Sequence, residues 1–286
     1  MNRFNPYQKT MFILALSSLI MMIAWIYIGA PYLTNTVDDF NFYNSYSGEL
    51  KTFDLENSKV KDSFEINRKI TNKAEKASKK AATIKMVDTF TNTLSQEVLM
   101  QNERSFNIDT EKRNYYDENG EKKFLFPQNT QKLDYEDVFY QVYPYLTVSK
   151  FTFANEENVL GMFSYVFRYK LESISIDKKM IITKDATLGD KKVLGNFEGK
   201  IWVEPRTGFI IKQESYWNFF FNNDDGQNQT IESGRIWQQD EETKRVISLI
   251  ESKKAMAQIY EMWVPLYLLI FALAFGIGVL LKESGR

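Results

Sequence analysis

The side chains that could do chemistry fall into three small groups. Asp134, Glu136 and Asp137 gather carboxylates within four positions, the raw material of a calcium site or an acid/base pair. They lack the D-x-D-x-D-G loop and the closing glutamate of a calcium-binding loop, and so read as solvated carboxylates. Asp224-Asp225-Gly226 reads as the tip of a hairpin for the same reason. Glu204 and Arg206 stand two apart in Trp202-Val203-Glu204-Pro205-Arg206-Thr207-Gly208, where they could pair across a turn as a structural clamp. Proline presets φ in such a turn, and the glycine accepts a positive φ. Trp202 is expected beneath the turn, inside the core.

What is missing limits the chemistry more sharply. The 286 residues include no histidine and no cysteine. Disulfides, thiolate nucleophiles, Cys/His zinc sites, histidine-ligated haem and Ser-His or Cys-His catalysis are therefore all out of reach. No glycine-rich phosphate loop, serine elbow or Ser-x-x-Lys arrangement is present. A non-enzymatic protein without a cofactor or metal is the expectation. With 36 basic and 37 acidic residues, no overall positive field exists to attract nucleic acid.

Two apolar runs dictate where such a chain sits. Residues 11–28 carry no charge and would span roughly 27 Å as a helix, the thickness of a bilayer core. Arg3 and Lys9 precede the run, and Asp38 and Asp39 are the first charges after it. Residues 262–281 form a second uncharged run, followed by Lys282, Glu283 and Arg286. The positive-inside rule then gives one topology. Residues 1–10 and 282–286 are cytoplasmic, residues 11–31 and 262–281 cross the membrane, and residues 32–261 lie outside. A cleaved signal peptide is the other way to read the first run. Ala272/Gly276 and Ala274/Gly278 form small-xxx-small pairs that would let another helix approach.

The outer domain reads as mainly β, a sandwich or an irregular barrel-like sheet. Strand patterns cover residues 38–49 (interrupted at Ser47-Gly48), 63–70, 84–91, 151–153, 162–176, 180–183, 193–197, 200–203 and 209–221. Within residues 63–70 the alternation is Phe64, Ile66, Arg68, Ile70, and Asn119-Gly120 is a strong hairpin signal. Residues 72–82 (NKAEKASKKAA) have helix-favouring Ala, Lys and Glu but almost no apolar stripe, and read as an exposed loop or a frayed turn. Residues 239–261 form a juxtamembrane helix that Asp240 can cap, with Pro265 disturbing the junction to the second run. The chain carries 22 Phe, 16 Tyr and 5 Trp. The succession Trp217, Phe219, Phe220, Phe221 would make both faces of one strand apolar, as in a doubly buried strand or an apolar conduit. Asn228-Gln229-Thr230 is a lone glycosylation sequon, compatible with an outer location.

At residues 201–212 the sequence resembles the porin A family of prokaryotic proteins, whose most recognisable motif the stretch from Trp202 to Gly208 matches. Phe124-Leu125-Phe126-Pro127, leading to Tyr135-Glu136-Asp137, is similar to the family's aromatic-proline segment. The resemblance implies a two-pass envelope protein. Two helices enclose no pore, so a channel would require a homo-oligomer. The layout also looks like that of class B scavenger receptors, which pass lipids through an outer domain, though no motif is shared. The expected function is binding or transfer of an apolar envelope component, with membrane lipids as partners. The alternative is a structural or accessory subunit that docks envelope proteins, or one unit of an oligomeric pore. Trp202, Glu204, Pro205, Arg206, Thr207 and Gly208 are the motif residues, assigned to folding of the turn.

Overall fold

The computed structural model describes residues 6–30, 42–55, 57–77, 81–110, 112–117, 120–138, 140–142, 145–147, 150–182, 188–223 and 226–281. The chain divides into two compact units, Val37–Ser248 and a helical unit of Met1–Thr36 with Leu249–Arg286.

In the first unit nearly every strand pairs with its neighbour in sequence. The strands are β1 (Phe42–Phe53), β2 (Val60–Ala77), β3 (Ala81–Asn92), β4 (Val98–Asp109), β5 (Asn114–Asp117) and β6 (Gly120–Lys123), then β9 (Thr152–Val159), β10 (Met162–Ile176), β11 (Val193–Val203), β12 (Ile210–Asn222) and β13 (Asn228–Trp237). They form one antiparallel sheet in the order β6-β5-β4-β3-β2-β1-β13-β12-β11-β10-β9. The short β7 (Tyr140–Val142) and β8 (Tyr145–Thr147) pair apart from it. The helical content and the large antiparallel sheet agree with the sequence reading. Where that reading allows two stacked sheets, the strands make a single ladder.

The ladder is strongly curled. Phe90 on β3 and Trp217 on β12 are four strand steps apart, roughly 19 Å on a flat sheet at about 4.8 Å per step. Their ring centroids lie 6.4 Å apart. One face of the sheet thus wraps a core to which Ile66, Ile84, Phe90, Phe106, Phe126, Phe151, Phe167, Phe219 and Phe221 contribute. Trp217, Phe219 and Phe221 belong to this core, and Phe220, on the other face of β12, is also buried.

Four local readings are corrected. Residues 72–82 are strand, not loop, in their described part: Asn72 pairs with Met86, Ala74 with Ile84 and Ala77 with Ala82. Ala74 packs on the core, and β2 bulges at Glu75, so cross-strand bonding and inward contacts override the local helix preference of Ala, Lys and Glu. Ser47-Gly48 does not interrupt β1, because Gly48 serves close packing: a Cβ there would stand 2.4 Å from the Arg235 carbonyl oxygen. Residues 193–203 form one strand through Gly199, over which the Tyr169 ring lies with its hydroxyl 2.6 Å from the Ser215 hydroxyl. The stretch expected as strand at 180–183 begins in a 3-10 turn, Lys178–Met180, capped by Asp177, which accepts from the Lys179 N–H; residues 183–187 lie outside the described residues. The hairpin at Asn119-Gly120 forms, with Asp117 opposite Gly120 and residues 118–119 outside the described set.

The core contains a charge pair. Arg68, on the inward face of β2, is 1 % exposed and donates from Nε and from its second terminal nitrogen to the two carboxylate oxygens of Asp88, at 2.9 and 2.7 Å. The guanidinium carbon also lies 5.3 Å from the Phe90 ring centroid and 6.0 Å from that of Tyr46. Burial pushes the Tyr46 hydroxyl far above its ordinary value. The fork-to-fork geometry is what makes such a pair tolerable in an apolar interior.

A helix, α2 (Asp240–Gln258), follows β13. Its first turns take over hydrogen bonding along β1 where β13 has ended. Ser45 donates its N–H to Glu242 at 3.1 Å, and Arg245 donates to the Tyr43 carbonyl at 2.5 Å. Arg245 also forks onto the Glu242 carboxylate and stacks on the Tyr43 ring at 4.0 Å. The helix then passes through a π-helical turn, Ile259–Trp263, into α3 (Val264–Leu281). The wide turn ends where Pro265 withdraws an N–H from the ladder, which is the form the expected disturbance takes.

In the helical unit α1 (Pro6–Ala24) also ends in a π-helical turn, Trp25–Gly29. The Trp25 indole N–H donates to the Tyr260 carbonyl at 2.8 Å, and the Gln8 side-chain amide donates to the Val279 carbonyl at 3.3 Å. Early residues meet late ones at both ends, so α1 and α3 pair antiparallel. Both helices are long and apolar enough to cross a membrane. Gly278 faces Met11 on α1, whereas a Cβ at Gly276 would meet nothing within 4 Å.

Asp88→Asn should deprive the buried Arg68 of its fork-to-fork carboxylate and lower stability by about 3–5 kcal/mol. Replacing both residues together, Arg68→Met with Asp88→Leu, should cost far less. Urea denaturation of the two variants checks this.

Candidate functional site: the 204–209 turn and the segment that closes the sheet

The family-like residues form a tight turn between β11 and β12. Glu204 is buried, and one of its carboxylate oxygens accepts from both the Thr207 N–H (2.8 Å) and the Thr207 hydroxyl (2.6 Å). Gly208 donates to the Glu204 carbonyl, and Glu204 in turn donates its N–H to the Phe209 carbonyl, each at 2.9 Å. The expected Glu204–Arg206 clamp is not made. Glu204 is turned inward onto Thr207, while Arg206 is exposed and has no side-chain partner among the described residues.

Gly208 has φ +73°, as the turn chemistry requires. A second constraint is stronger: an added Cβ would lie 2.0 Å from the Phe126 carbonyl oxygen and 2.8 Å from that of Pro127. The turn is pressed against the backbone of residues 124–130. Thr130 donates its N–H to the Pro205 carbonyl at 2.7 Å, Asn129 donates to the Arg206 carbonyl at 3.2 Å, and Arg113 reaches the Thr207 carbonyl at 3.3 Å. The two segments that resemble the family's motifs, some eighty residues apart, are therefore packed on each other.

The same segment joins the two edges of the sheet. Next to β6, Lys123 donates its N–H to the Asp137 carbonyl at 2.6 Å. Beside β9, Tyr135 and Phe151 exchange both backbone hydrogen bonds, at 2.9 and 2.7 Å. Earlier in the segment Phe126 enters the core against the rings of Tyr135, Phe151 and Phe167, with centroids 5.2, 5.4 and 4.9 Å away.

Trp202 occupies a different place from the one expected. Strand residues alternate faces, and since Ile201 and Val203 belong to the core, Trp202 points to the opposite side. It is buried there, with Lys212 over its ring at 5.4 Å and its indole N–H donating to Glu157 on β9 at 2.7 Å. The Trp202 and Asn155 donors hold the Glu157 carboxyl below its ordinary range. A one-residue shift in which side of β11 faces inward is invisible when three successive residues are all apolar.

The acidic cluster is neutralised locally. Asp134 accepts from the Phe153 N–H and pairs with Lys150, which also pairs with Glu136, all three exposed, while the half-buried Asp137 pairs with Lys123. No metal-holding group occurs among the described residues. Asp224 and Asp225 lie outside the described residues, between Asn223 and Gly226, whose φ of +74° fits the β12–β13 hairpin. Asn228 opens β13 and is exposed.

A family model described as Porin PorA matches residues 12–281. The chain belongs to that family. No characterised protein matches the sequence of this PorA-family chain. Among solved structures, a Bacteroides fragilis protein with a YmcC-like fold aligns at 11 % identity and a TM-score of 0.30, covering 70 % of this chain and 99 % of its own. A tesB protein of Mycobacterium avium subspecies paratuberculosis aligns at 8 % identity and a TM-score of 0.14, over 69 % of this chain and 79 % of that one. A hot dog fold protein from Alicyclobacillus acidocaldarius gives 9 % and 0.13, over 68 % and 79 %. Likeness at these scores carries no argument about fold or activity.

Gly208→Ala should prevent closure and abolish cooperative unfolding, because the methyl group would meet backbone that cannot move aside. Arg206→Ala should stay within about 0.5 kcal/mol of wild type, as expected of an exposed side chain. For Trp202→Phe the sign follows from the depressed Glu157 carboxyl, whose contribution is present above the unfolded carboxylate pKa of about 4.3 and lost as pH falls through the lower folded value. The stability gap between wild type and this variant should thus narrow below about pH 4 in pH-dependent thermal melts.

Proposed function

We propose that this is a two-pass cell-envelope protein with cytoplasmic residues 1–10 and 282–286 and its β-rich domain outside, where the domain binds or hands on an apolar envelope component. The charge flanks of the two apolar runs support the topology. The observation that carries the binding role is the lining of the curled sheet. Its inner face is aromatic along β10, from Tyr169 through Phe167 and Tyr165 to Phe163, and the series does not end in the core: Phe163 is 45 % exposed. Closure of the sheet by residues 124–138 gives the domain a barrel-like form that is stable without disulfides. On this reading the domain acts as a binding module.

A second reading, docking to other envelope proteins or to further copies as a pore component, has one observation in its favour. Gly276 leaves open space on α3, on the side away from the α1-facing Gly278.

Native mass spectrometry of the full chain after gentle membrane extraction separates the two. Retained lipid on a monomer is the expected result; a lipid-free oligomer or hetero-complex would favour the second. Protease added to intact cells should remove the middle of the chain and spare tags at both ends, and an accessible terminal tag would overturn the topology.

A further inference from the structure

One rim of the sheet carries features that the fold does not need. The β9–β10 hairpin closes with two residues, Leu160 (φ +50°) and Gly161 (φ +91°), between the paired Val159 and Met162. Two-residue turns with both φ values positive favour Asn-Gly, and a branched aliphatic residue is disfavoured at the first position. Leu160 is nevertheless there and is 45 % exposed. Phe163, two residues into β10, is equally exposed and meets Tyr165 edge-on at 5.5 Å; Tyr165 meets Phe153 at 5.7 Å, and Phe153 meets the buried Phe167 at 5.9 Å. A continuous series of rings thus leads from the rim into the core.

Arg206 stands on the same rim. Tyr165 pairs with Val203, so the start of β10 that carries Phe163 and the turn that carries Arg206 leave adjacent strands at the same end of the sheet. The hydrogen bonds of the turn are made by Glu204, Thr207 and Gly208, which leaves the Arg206 guanidinium on a fixed backbone with no bond to make within the described structure. Two other cations of this region are engaged: Arg113 reaches the Thr207 carbonyl and lies over the Phe209 ring, and Lys132 is held by Glu156 and lies over the Tyr165 ring. The rim is at the end of the sheet where β1 begins and β13 ends.

We propose that this rim binds an anionic membrane phospholipid, with Arg206 holding the headgroup phosphate and Leu160 and Phe163 receiving the acyl chain. The inference rests on the apolar-ligand reading above and deepens it by naming the ligand class and the contacts. A guanidinium offers parallel donors that match phosphate oxygens, which explains an unpaired arginine at a rigid position. An apolar residue at a backbone position that disfavours it is explained by contact with the acyl chain.

The test uses the full chain in nanodiscs of phosphatidylcholine doped with phosphatidylglycerol or phosphatidylcholine bearing a photoreactive acyl chain, and reads cross-linked peptides by mass spectrometry. Wild type should cross-link within residues 160–163, several-fold more with the anionic probe. Arg206→Gln should abolish that preference, bringing the phosphatidylglycerol signal down to the phosphatidylcholine level or below, while leaving Tm unchanged. Leu160→Asn should raise Tm, because the turn relaxes, and should reduce cross-linking with both probes several-fold. Cross-links in the outer domain but away from residues 160–163, or a preference that survives Arg206→Gln, would overturn this site and leave the broader reading intact. A β-rich domain that captures neither probe would overturn both.

Discussion

A backbone carbonyl lying where a side chain at residue 208 would have to go is the contact on which the β domain depends. Only glycine lets the β11–β12 turn settle on Phe126 and Pro127. That contact positions the segment whose Asp137 carbonyl accepts from β6 and whose Tyr135 pairs with Phe151 beside β9. An open eleven-stranded ladder would expose two edges and an aromatic face. Joined across by this segment, and plugged by Phe126, the same ladder encloses its aromatic residues. The turn and the aromatic-proline segment are thus two halves of one structural device, and Arg206 is the exposed side chain on it for which folding finds no use.

A domain without cysteine must hold its core by packing alone, and this one also spends buried polar groups. The Arg68–Asp88 fork and the Trp217 indole donating to the fully buried Glu232 at 3.1 Å both sit on the inner face. Trp217 in turn lies over Gly234, where a Cβ would stand 2.0 Å from the indole. Such pairs add little net stability compared with apolar replacements of the same shape, but an uncompensated partner is expensive. Their effect is to make any other strand register costly, since a one-residue slip would turn a charge outward and leave its partner buried.

The connection between β13 and the second apolar run is also specified by side chains. Glu242 and Arg245 occupy the hydrogen-bonding positions on β1 that a longer β13 would have filled. The helix therefore begins at a fixed place relative to β1 before it continues toward the π-helical turn. In the helical unit the Trp25 and Gln8 bonds to main-chain carbonyls fix the register of two otherwise featureless apolar helices. Polar bonds of this kind are favoured in an apolar setting because few alternative partners exist there.

Composition and periodicity determined much of this by themselves. Absence of His and Cys, two uncharged runs with basic flanks, alternating aromatic strands and the family-like residues around Gly208 are one-dimensional signals, and they sufficed for the β-rich domain, the two apolar helices and the family. Tertiary structure decided what depends on neighbours from elsewhere in the chain. Residues 72–77 became strand because β3 lies beside them, although their composition favours helix. Arg68 stood on the inward face of a legible alternation, but its partner Asp88 is found only once β2 and β3 are paired. Thr207 rather than Arg206 engages Glu204, and Trp202 faces away from the core, because a turn's side chains are assigned by the backbone packed against it. Local pattern records which faces are apolar; which residues meet across the fold is set by register and closure, and those are properties of the whole sheet.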